Sequence, residues 1–192
     1  MRSIKVHAAH AESAEKSRGA TYAPQGRFEK EARAAFDDGW TADDELPSPR
    51  ETQVTEEKAR SIISRNDSPD VPFTQSINPY RGCEHGCIYC YARPSHSYLE
   101  LSPGLDFETR LYAKVNAVEL LVKELSARGY RPSPIALGAN TDCYQPIERK
   151  YRITRGILEV LAECNHPVTL VTKSALVERD LDLLAPMAKK RL

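Results

Sequence analysis

Three cysteines that stand close together are the residues of this chain best suited to chemistry. Cys83, Cys87 and Cys90 have Cys-x-x-x-Cys-x-x-Cys spacing. Three thiolates can each ligate one iron of a cubane iron–sulfur cluster and leave the fourth iron without a protein ligand. Gly82 and Gly86 would let the backbone fold tightly around such a group, because glycine accepts positive φ and close approach. The motif therefore favours a 4Fe–4S cluster with one open iron.

A zinc ion bound by the same three cysteines and His85 is the alternative, since small zinc sites use this ligand set. His85 lies between two of the cysteines, which is awkward for closing a tetrahedron. No second pair of closely spaced cysteines follows downstream. The iron–sulfur interpretation is favoured, and the zinc interpretation stays open.

The residues from Asn78 to Tyr91 resemble the radical S-adenosylmethionine (SAM) superfamily, whose signature is this spacing with an aromatic residue, here Tyr89, before the last cysteine. From about Val71 onward the chain is similar to the branch that contains spore photoproduct lyase. The resemblance implies a 4Fe–4S cluster and S-adenosyl-L-methionine as cofactors, which together give methionine and a 5'-deoxyadenosyl radical. It also implies a reducing electron donor such as a flavodoxin or ferredoxin. The substrate is unknown, and nucleic acid is suggested by family analogy alone.

The same resemblance assigns four residues to S-adenosyl-L-methionine. Tyr89 would lie beside the adenine, Thr141 and Asp142 near the methionine part, and Lys173 against its carboxylate. Simpler structural roles stay open for three of them: Tyr89 could pack under the loop, Asp142 could cap the next helix, and Lys173 could be an ordinary surface lysine.

The other two cysteines, Cys143 and Cys164, are predicted to be small, mostly buried residues. The lyase branch has its hydrogen-donating cysteine just ahead of the matching aspartate, where this chain has Ala139. Cys143 instead follows Asp142. The sequence therefore does not favour repair of a thymine photoproduct by that route.

After Pro72 the chain alternates between strand and helix patterns, which predicts an α/β fold with a parallel sheet. Strands are predicted at 73–78, 134–138 and 168–172, and helices at 111–127, 152–164 and 176–188. By the resemblance, these three βα units are the N-terminal portion of a partial (βα)6 TIM-like barrel. Polar residues at the carboxyl ends of its strands are then site candidates. Lys114 and Asn116, early in the first predicted helix, are weaker candidates.

Two parts of the chain differ in composition. Residues 1–70 are predicted to be a polar N-terminal arm, partly disordered, and residues 71–192 the N-terminal half of the barrel. Because a radical SAM core has about six βα units, the chain is expected to be truncated. A non-catalytic iron–sulfur or zinc binding module left by truncation is therefore the alternative function.

The arm allows more than one structure. Residues 1–50 form either a disordered tail or an extended arm that packs on the following domain through aromatic residues. The aromatic residues considered for this packing are Phe28, Phe36 and Trp40. Residues 51–65 are ambiguous between a helix capped at Thr55 and a short strand at Ser61–Ser64.

Overall composition narrows the class of protein further. Lys plus Arg and Asp plus Glu number 27 each, so net charge indicates neither a nucleic acid nor a membrane surface as partner. The sequence has no apolar run long enough for a membrane span or a secretory signal. An odd number of cysteines, three of them closely spaced, fits poorly with a disulfide framework. These features predict a cytoplasmic protein with reduced thiols.

Overall fold

The computed structural model describes residues 19–20, 23–28 and 51–190, which form a mixed α/β structure of two sheets with helices. The strands are β1 (Gln53–Glu57), β2 (Ile63–Arg65), β3 (Gln75–Ile77), β4 (Tyr80–Arg81), β5 (Arg110–Lys114), β6 (Ile135–Leu137) and β7 (Val168–Leu170). The α-helices are α1 (Leu105–Thr109), α2 (Ala117–Leu125), α3 (Glu148–Tyr151), α4 (Ile153–Glu163) and α5 (Leu181–Lys189). Short 3₁₀ helices cover Arg93–Leu99 and Ala175–Asp180. The α/β class predicted from the sequence is confirmed.

A four-stranded sheet contains the predicted parallel strands. Its order is β2-β3-β6-β7, with β3, β6 and β7 parallel and β2 antiparallel at one edge. All three residues of β6 are buried, as expected for a strand that is covered on both faces. α4 packs against α2 and α5, so the helices that follow the three parallel strands form one layer.

A second sheet, of order β1-β5-β4, was not predicted. β5 corrects the predicted helix at 111–127. Leu111 and Ala113 are fully buried while their neighbours are half-buried, and this period of two is typical of a strand. α2 begins only after this strand, so Lys114 ends β5 and Asn116 precedes α2. The prediction that both residues lie in a helix is therefore wrong.

The structure resolves the ambiguity of residues 51–65 in favour of strands. Thr55 lies inside β1, paired with Tyr112, so the alternative of a helix capped there is wrong. The strand predicted at 61–64 corresponds to β2, which begins two residues later. Ile62 and Ile63 are buried in the main hydrophobic core, and their burial holds this segment against the four-stranded sheet.

The predicted C-terminal helix is divided. Its first part is the 3₁₀ helix Ala175–Asp180, and its second part is α5. The Ser174 side chain accepts a hydrogen bond from the Leu176 N–H at 3.2 Å and so caps the 3₁₀ segment. None of the helices that the structure describes is long and apolar enough to cross a membrane.

Of the aromatic residues expected to dock the N-terminal arm, Phe28 lies within the described residues. Its ring centroid lies 5.2 Å from that of Tyr98, on the 3₁₀ helix that follows the cysteines. Phe36 and Trp40 lie outside the described residues.

Candidate metal centre

The three cysteines lie on a loop, residues 82–91, that follows β4 directly. Gly82 and Gly86 turn this loop with φ of 73° and 59°, values that glycine adopts readily and other residues rarely. A Cβ atom on residue 82 would also lie 2.6 Å from Leu111 Cδ2 and 2.8 Å from the Phe107 carbonyl oxygen. The first glycine is therefore required both by backbone conformation and by space.

The three thiols differ in their surroundings. Cys83 is 7% exposed, whereas Cys87 and Cys90 are half-buried. Burial raises the pKa of the Cys83 thiol to about 11, so ligation of a metal by this residue must release a proton at neutral pH. The Gly86 N–H donates to the Cys83 carbonyl at 3.3 Å, and the Cys90 N–H donates to the Cys87 carbonyl at 3.2 Å. Two successive tight turns thus form the loop.

His85, the fourth ligand in the zinc alternative, contacts Asp142. Its Nε2 lies 3.4 Å from Asp142 Oδ2. Across the described ranges, no three His, Cys, Asp or Glu side chains are gathered closely enough to hold one ion. The ligands of a zinc ion must converge on one point, whereas cubane thiolates each meet a different iron.

Lys173, at the carboxyl end of β7, reaches the cysteine loop. Its Nζ donates to the Tyr89 hydroxyl at 2.6 Å and lies 3.3 Å from Cys87 Sγ. The same ammonium lies 4.2 Å from the centroid of the Tyr89 ring, within range of a cation–π contact. The hydrogen bond to Tyr89 and then that to Cys87 raise the pKa of Lys173, so the side chain stays charged. The structure therefore brings these three predicted site residues together.

Asp142, in the turn after β6, joins the loop to the end of β7. Its carboxylate accepts hydrogen bonds from the Thr172 hydroxyl at 2.7 Å and from the N–H groups of Lys173 and Tyr144 at 2.8 Å each. Burial opposes ionisation, but the nearby His85 imidazole together with these hydrogen bonds outweighs it and lowers the pKa of Asp142. The carboxylate is therefore ionised. It does not cap the next helix, α3, whose N-cap residue is Ile147.

Thr141 and the two cysteines outside the loop lie in different environments. Thr141 is 2% exposed and its hydroxyl donates to the Tyr80 carbonyl at 2.9 Å, so it fixes the turn to β4. Cys143 is fully buried, as predicted, whereas Cys164 is exposed and the prediction for it is wrong. Cys164 is the C-cap residue of α4, and the residues on either side of it are exposed too.

The two weaker candidates have structural partners. Lys114 Nζ donates to the Asn78 carbonyl at 2.8 Å, and burial lowers the pKa of this lysine. The Asn116 side chain both accepts from and donates to the backbone of Ala59, at 2.9 Å in each case. Both residues thus tie neighbouring strands and loops together.

Sequence reasoning missed two residues that contact the cysteine loop. Gln145 is fully buried and bonds to the backbone on both sides of Cys83. Arg93 bonds to the carbonyl of Cys87 and forms an ion pair with the buried Glu108. The sequence indicates Gln145 only by its position in the polar turn after β6. Nothing in the sequence pattern indicates Arg93.

Comparisons with known proteins identify relatives of unassigned function. The chain is 43% identical over 120 residues to the uncharacterised protein Rv2578c of Mycobacterium tuberculosis, an alignment that covers 62% of this chain and 35% of that protein. It is 30% identical over 131 residues to the uncharacterised protein MJ0683 of Methanocaldococcus jannaschii, covering 68% of this chain and 46% of the relative. The chain therefore spans less than half the length of these curated relatives. No family profile and no solved structure matches it.

Proposed function

We propose that this chain binds a 4Fe–4S cluster through Cys83, Cys87 and Cys90 and takes part in radical SAM chemistry. The observation that carries the proposal is the position of the cysteine loop. It turns on two glycines of positive φ and meets Asp142 and Lys173, which follow two adjacent parallel strands. Ligand sites in parallel α/β folds lie at the carboxyl ends of the strands.

The donor set suits the proposed cluster. Three thiolates would leave one iron of a cubane open for a small molecule, and within the described residues His85 Nε2 lies against the Asp142 carboxylate, 3.4 Å from Oδ2. With S-adenosyl-L-methionine bound, a cluster held by these three thiolates would pass one electron from an external reductant to the sulfonium, whose carbon–sulfur bond would break to give methionine and a 5'-deoxyadenosyl radical.

The chain's own residues would bind and orient the cofactor. Lys173 presents a charged ammonium beside Cys87, where it can pair with a carboxylate. Tyr89 is 77% exposed beside that ammonium, and the face of its ring away from Lys173 is proposed to meet the adenine. Asp142 holds the backbone of Lys173 at 2.8 Å and thereby fixes the lysine. Thr141 acts on the cofactor only indirectly in this arrangement, by holding the turn.

Exposed side chains on the loop provide a surface for an electron donor. Ile88 and Tyr91, on either side of the position assigned to the adenine, are each about three-quarters exposed, and a contiguous exposed apolar patch can mark an interaction site. A reductant of the flavodoxin or ferredoxin type would reach the cluster from this side.

In the same proposal, the parallel strands β3, β6 and β7 are the N-terminal portion of a partial (βα)6 barrel.

The first test is anaerobic reconstitution with iron and sulfide, followed by dithionite reduction in the presence of S-adenosyl-L-methionine. We expect a bound 4Fe–4S cluster by its absorption and electron paramagnetic resonance spectra, and 5'-deoxyadenosine by chromatography. Single replacement of Cys83, Cys87 or Cys90 by Ser should abolish both. Cys164→Ser is the matched control, because this cysteine is exposed and lies outside the loop.

Each other outcome has a defined meaning. A cluster without 5'-deoxyadenosine would favour a non-catalytic iron–sulfur module. Tight zinc binding in place of iron would establish the zinc alternative, and full iron and sulfide in all three loop variants would refute the ligand assignment.

A further inference from the structure

Gln145 holds the loop backbone on both sides of Cys83. Its Nε2 donates to the Gly82 carbonyl at 3.0 Å, and its Oε1 accepts from the Glu84 N–H at 3.0 Å. One neighbour is an acceptor and the other a donor, so only one orientation of the amide satisfies both. Because Gln145 is fully buried, losing it would leave two backbone groups without their partner.

Arg93 holds the next turn of the loop at Cys87. Its Nε and Nη2 donate to the Cys87 carbonyl at 3.1 and 2.9 Å, and Nη2 also pairs with Glu108. Nη1 donates to the carbonyls of Pro103 and Gly104 at 3.3 and 3.2 Å. The Arg93 side chain is 13% exposed and that of Glu108 is 0% exposed, so this ion pair is shielded from screening by water. The guanidinium of arginine makes all of these contacts at once, which the single ammonium of a lysine cannot do.

From these contacts we propose that Gln145 and Arg93 are positioning residues that set the places of Cys83 and Cys87 before any metal centre binds. The inference rests on the proposed function for the identity of that centre, whereas the contacts themselves are made by the chain's own residues. Neither residue lies within the Cys-x-x-x-Cys-x-x-Cys segment. Partners beyond the ligands commonly orient them, and their loss typically reduces metal affinity roughly 10- to 100-fold.

Positioning by these side chains has a physical reason. A loop that must turn twice within a few residues satisfies few of its own backbone groups, and buried backbone groups need partners. Gln145 and Arg93 supply those partners from the turn after β6 and from the 3₁₀ helix Arg93–Leu99. The entropy of ordering the loop is then lost on folding rather than on metal binding, which favours capture of the metal.

The first measurement uses the metal-free full chain. Gln145→Leu should speed hydrogen exchange at the Glu84 amide, and Arg93→Lys should speed it at the Cys90 amide, which shares the Cys87 carbonyl with Arg93. At Glu84 we expect an increase of roughly fivefold to tenfold, the loss that one hydrogen bond represents. At Cys90 we expect a smaller increase, because its own bond to the Cys87 carbonyl remains.

Matched controls separate positioning from general stability. Gln75 is 2% exposed, donates to the Arg131 carbonyl at 3.1 Å and accepts from the Tyr130 hydroxyl at 2.9 Å, so Gln75→Leu removes an equivalent buried amide at the start of β3. Arg155→Lys likewise disrupts a forked guanidinium, which bonds Asp180 and Asp182. Both controls should leave exchange in the cysteine loop unchanged.

The second measurement is the rate at which reconstituted protein loses iron to a chelator. We expect loss roughly 10- to 100-fold faster in Gln145→Leu and Arg93→Lys than in the parent, with both controls near the parent rate. Faster loop exchange with unchanged iron retention would overturn the proposal, as would equal effects in the controls. If the parent chain takes up no cluster, the proposed function fails, and the hydrogen-exchange result alone decides whether the two residues hold the loop.

Discussion

At the scale of single residues, His96 stands out as a buried group in an apolar setting. It is 1% exposed, and within the part of the chain that the structure describes neither ring nitrogen has a hydrogen-bond partner. Phe107 and Tyr112 lie edge-on to the imidazole, with centroids 5.6 and 6.5 Å away. Burial is the main cause that lowers the pKa of His96; the nearby backbone of Arg110 and the Asp106 carboxylate oppose this lowering, and the Arg110 charge adds to it.

His96 should therefore make the fold sensitive to mild acid. The unfolded chain takes up a proton here near pH 6.5, whereas folded His96 stays neutral to lower pH, so its contribution is complete above about pH 6.5 and declines below it. We expect the urea concentration at the midpoint of unfolding to decrease as the pH is lowered from about 7.5 to about 5.5. The His96→Leu variant should show a smaller decrease. An equal fall in parent and variant would show that other groups cause the acid sensitivity.

At the scale of elements, a buried charge network joins α3 and α4 to the end of the 3₁₀ helix before α5. Glu148 and Asp180 are both fully buried. Arg179 bonds to both of them, at 2.8 and 2.7 Å, and Arg155 bonds to Asp180 at 2.9 Å. Tyr80 also donates to Glu148, which connects the network to the strand that leads into the cysteine loop.

Arg179→Met should be strongly destabilising, because it removes the cation shared by two buried carboxylates. The expected loss in the free energy of unfolding is about 3–5 kcal/mol, the usual cost of breaking a buried ion pair from one side. Urea denaturation at neutral pH measures it. Lys190→Met, which removes a surface contact to Asn165, should change stability by less than about 0.5 kcal/mol. A similarly small effect of Arg179→Met would mean that the remaining partners, Arg155 at Asp180 and Tyr80 at Glu148, are enough to stabilise the carboxylates.

The elements also show where sequence patterns succeed and fail. The prediction of β6 succeeds because a buried parallel strand is a short apolar run, whereas β7, at the edge of the sheet, is only partly buried. β5 was mistaken for helix because apolar residues at 111, 115, 118, 122 and 125 have helical spacing, although the first of them belongs to a strand and Val115 and Val122 are partly exposed. β1 owes its strand structure to pairing with β5, a long-range contact that local patterns do not contain.

At the scale of the whole molecule, the candidate site depends on contacts between distant parts of the chain. The cysteines, Asp142 and Lys173 could be identified from sequence because motif and strand ends mark them. Gln145 and Arg93 could not, since their importance arises only when folding places them against the loop. Glu108, on α1, is a further case. Its carboxylate pairs with Arg93 and also accepts hydrogen bonds from the N-terminal segment, the described residues 19–20 and 23–28.

This N-terminal segment approaches the cysteine loop directly. The N–H groups of Gly19 and Ala20 donate to the Glu108 carboxylate at 3.2 and 2.8 Å, and the Ser102 hydroxyl donates to the Pro24 carbonyl at 2.6 Å. A Cβ atom on residue 19 would overlap the carbonyl oxygen of Gly86. The close approach of segment and loop therefore requires glycine at this position.

Gly19→Ala should consequently displace the segment from the loop while leaving the two sheets intact. We expect faster tryptic cleavage after Arg27, because the anchored segment would spend more time away from the domain. The urea midpoint should stay near that of the parent. Gly129→Ala is the matched control, since a Cβ atom there meets nothing within 4 Å. Unchanged cleavage after Arg27 in Gly19→Ala would show that the segment is held by its other contacts, such as that between Phe28 and Tyr98.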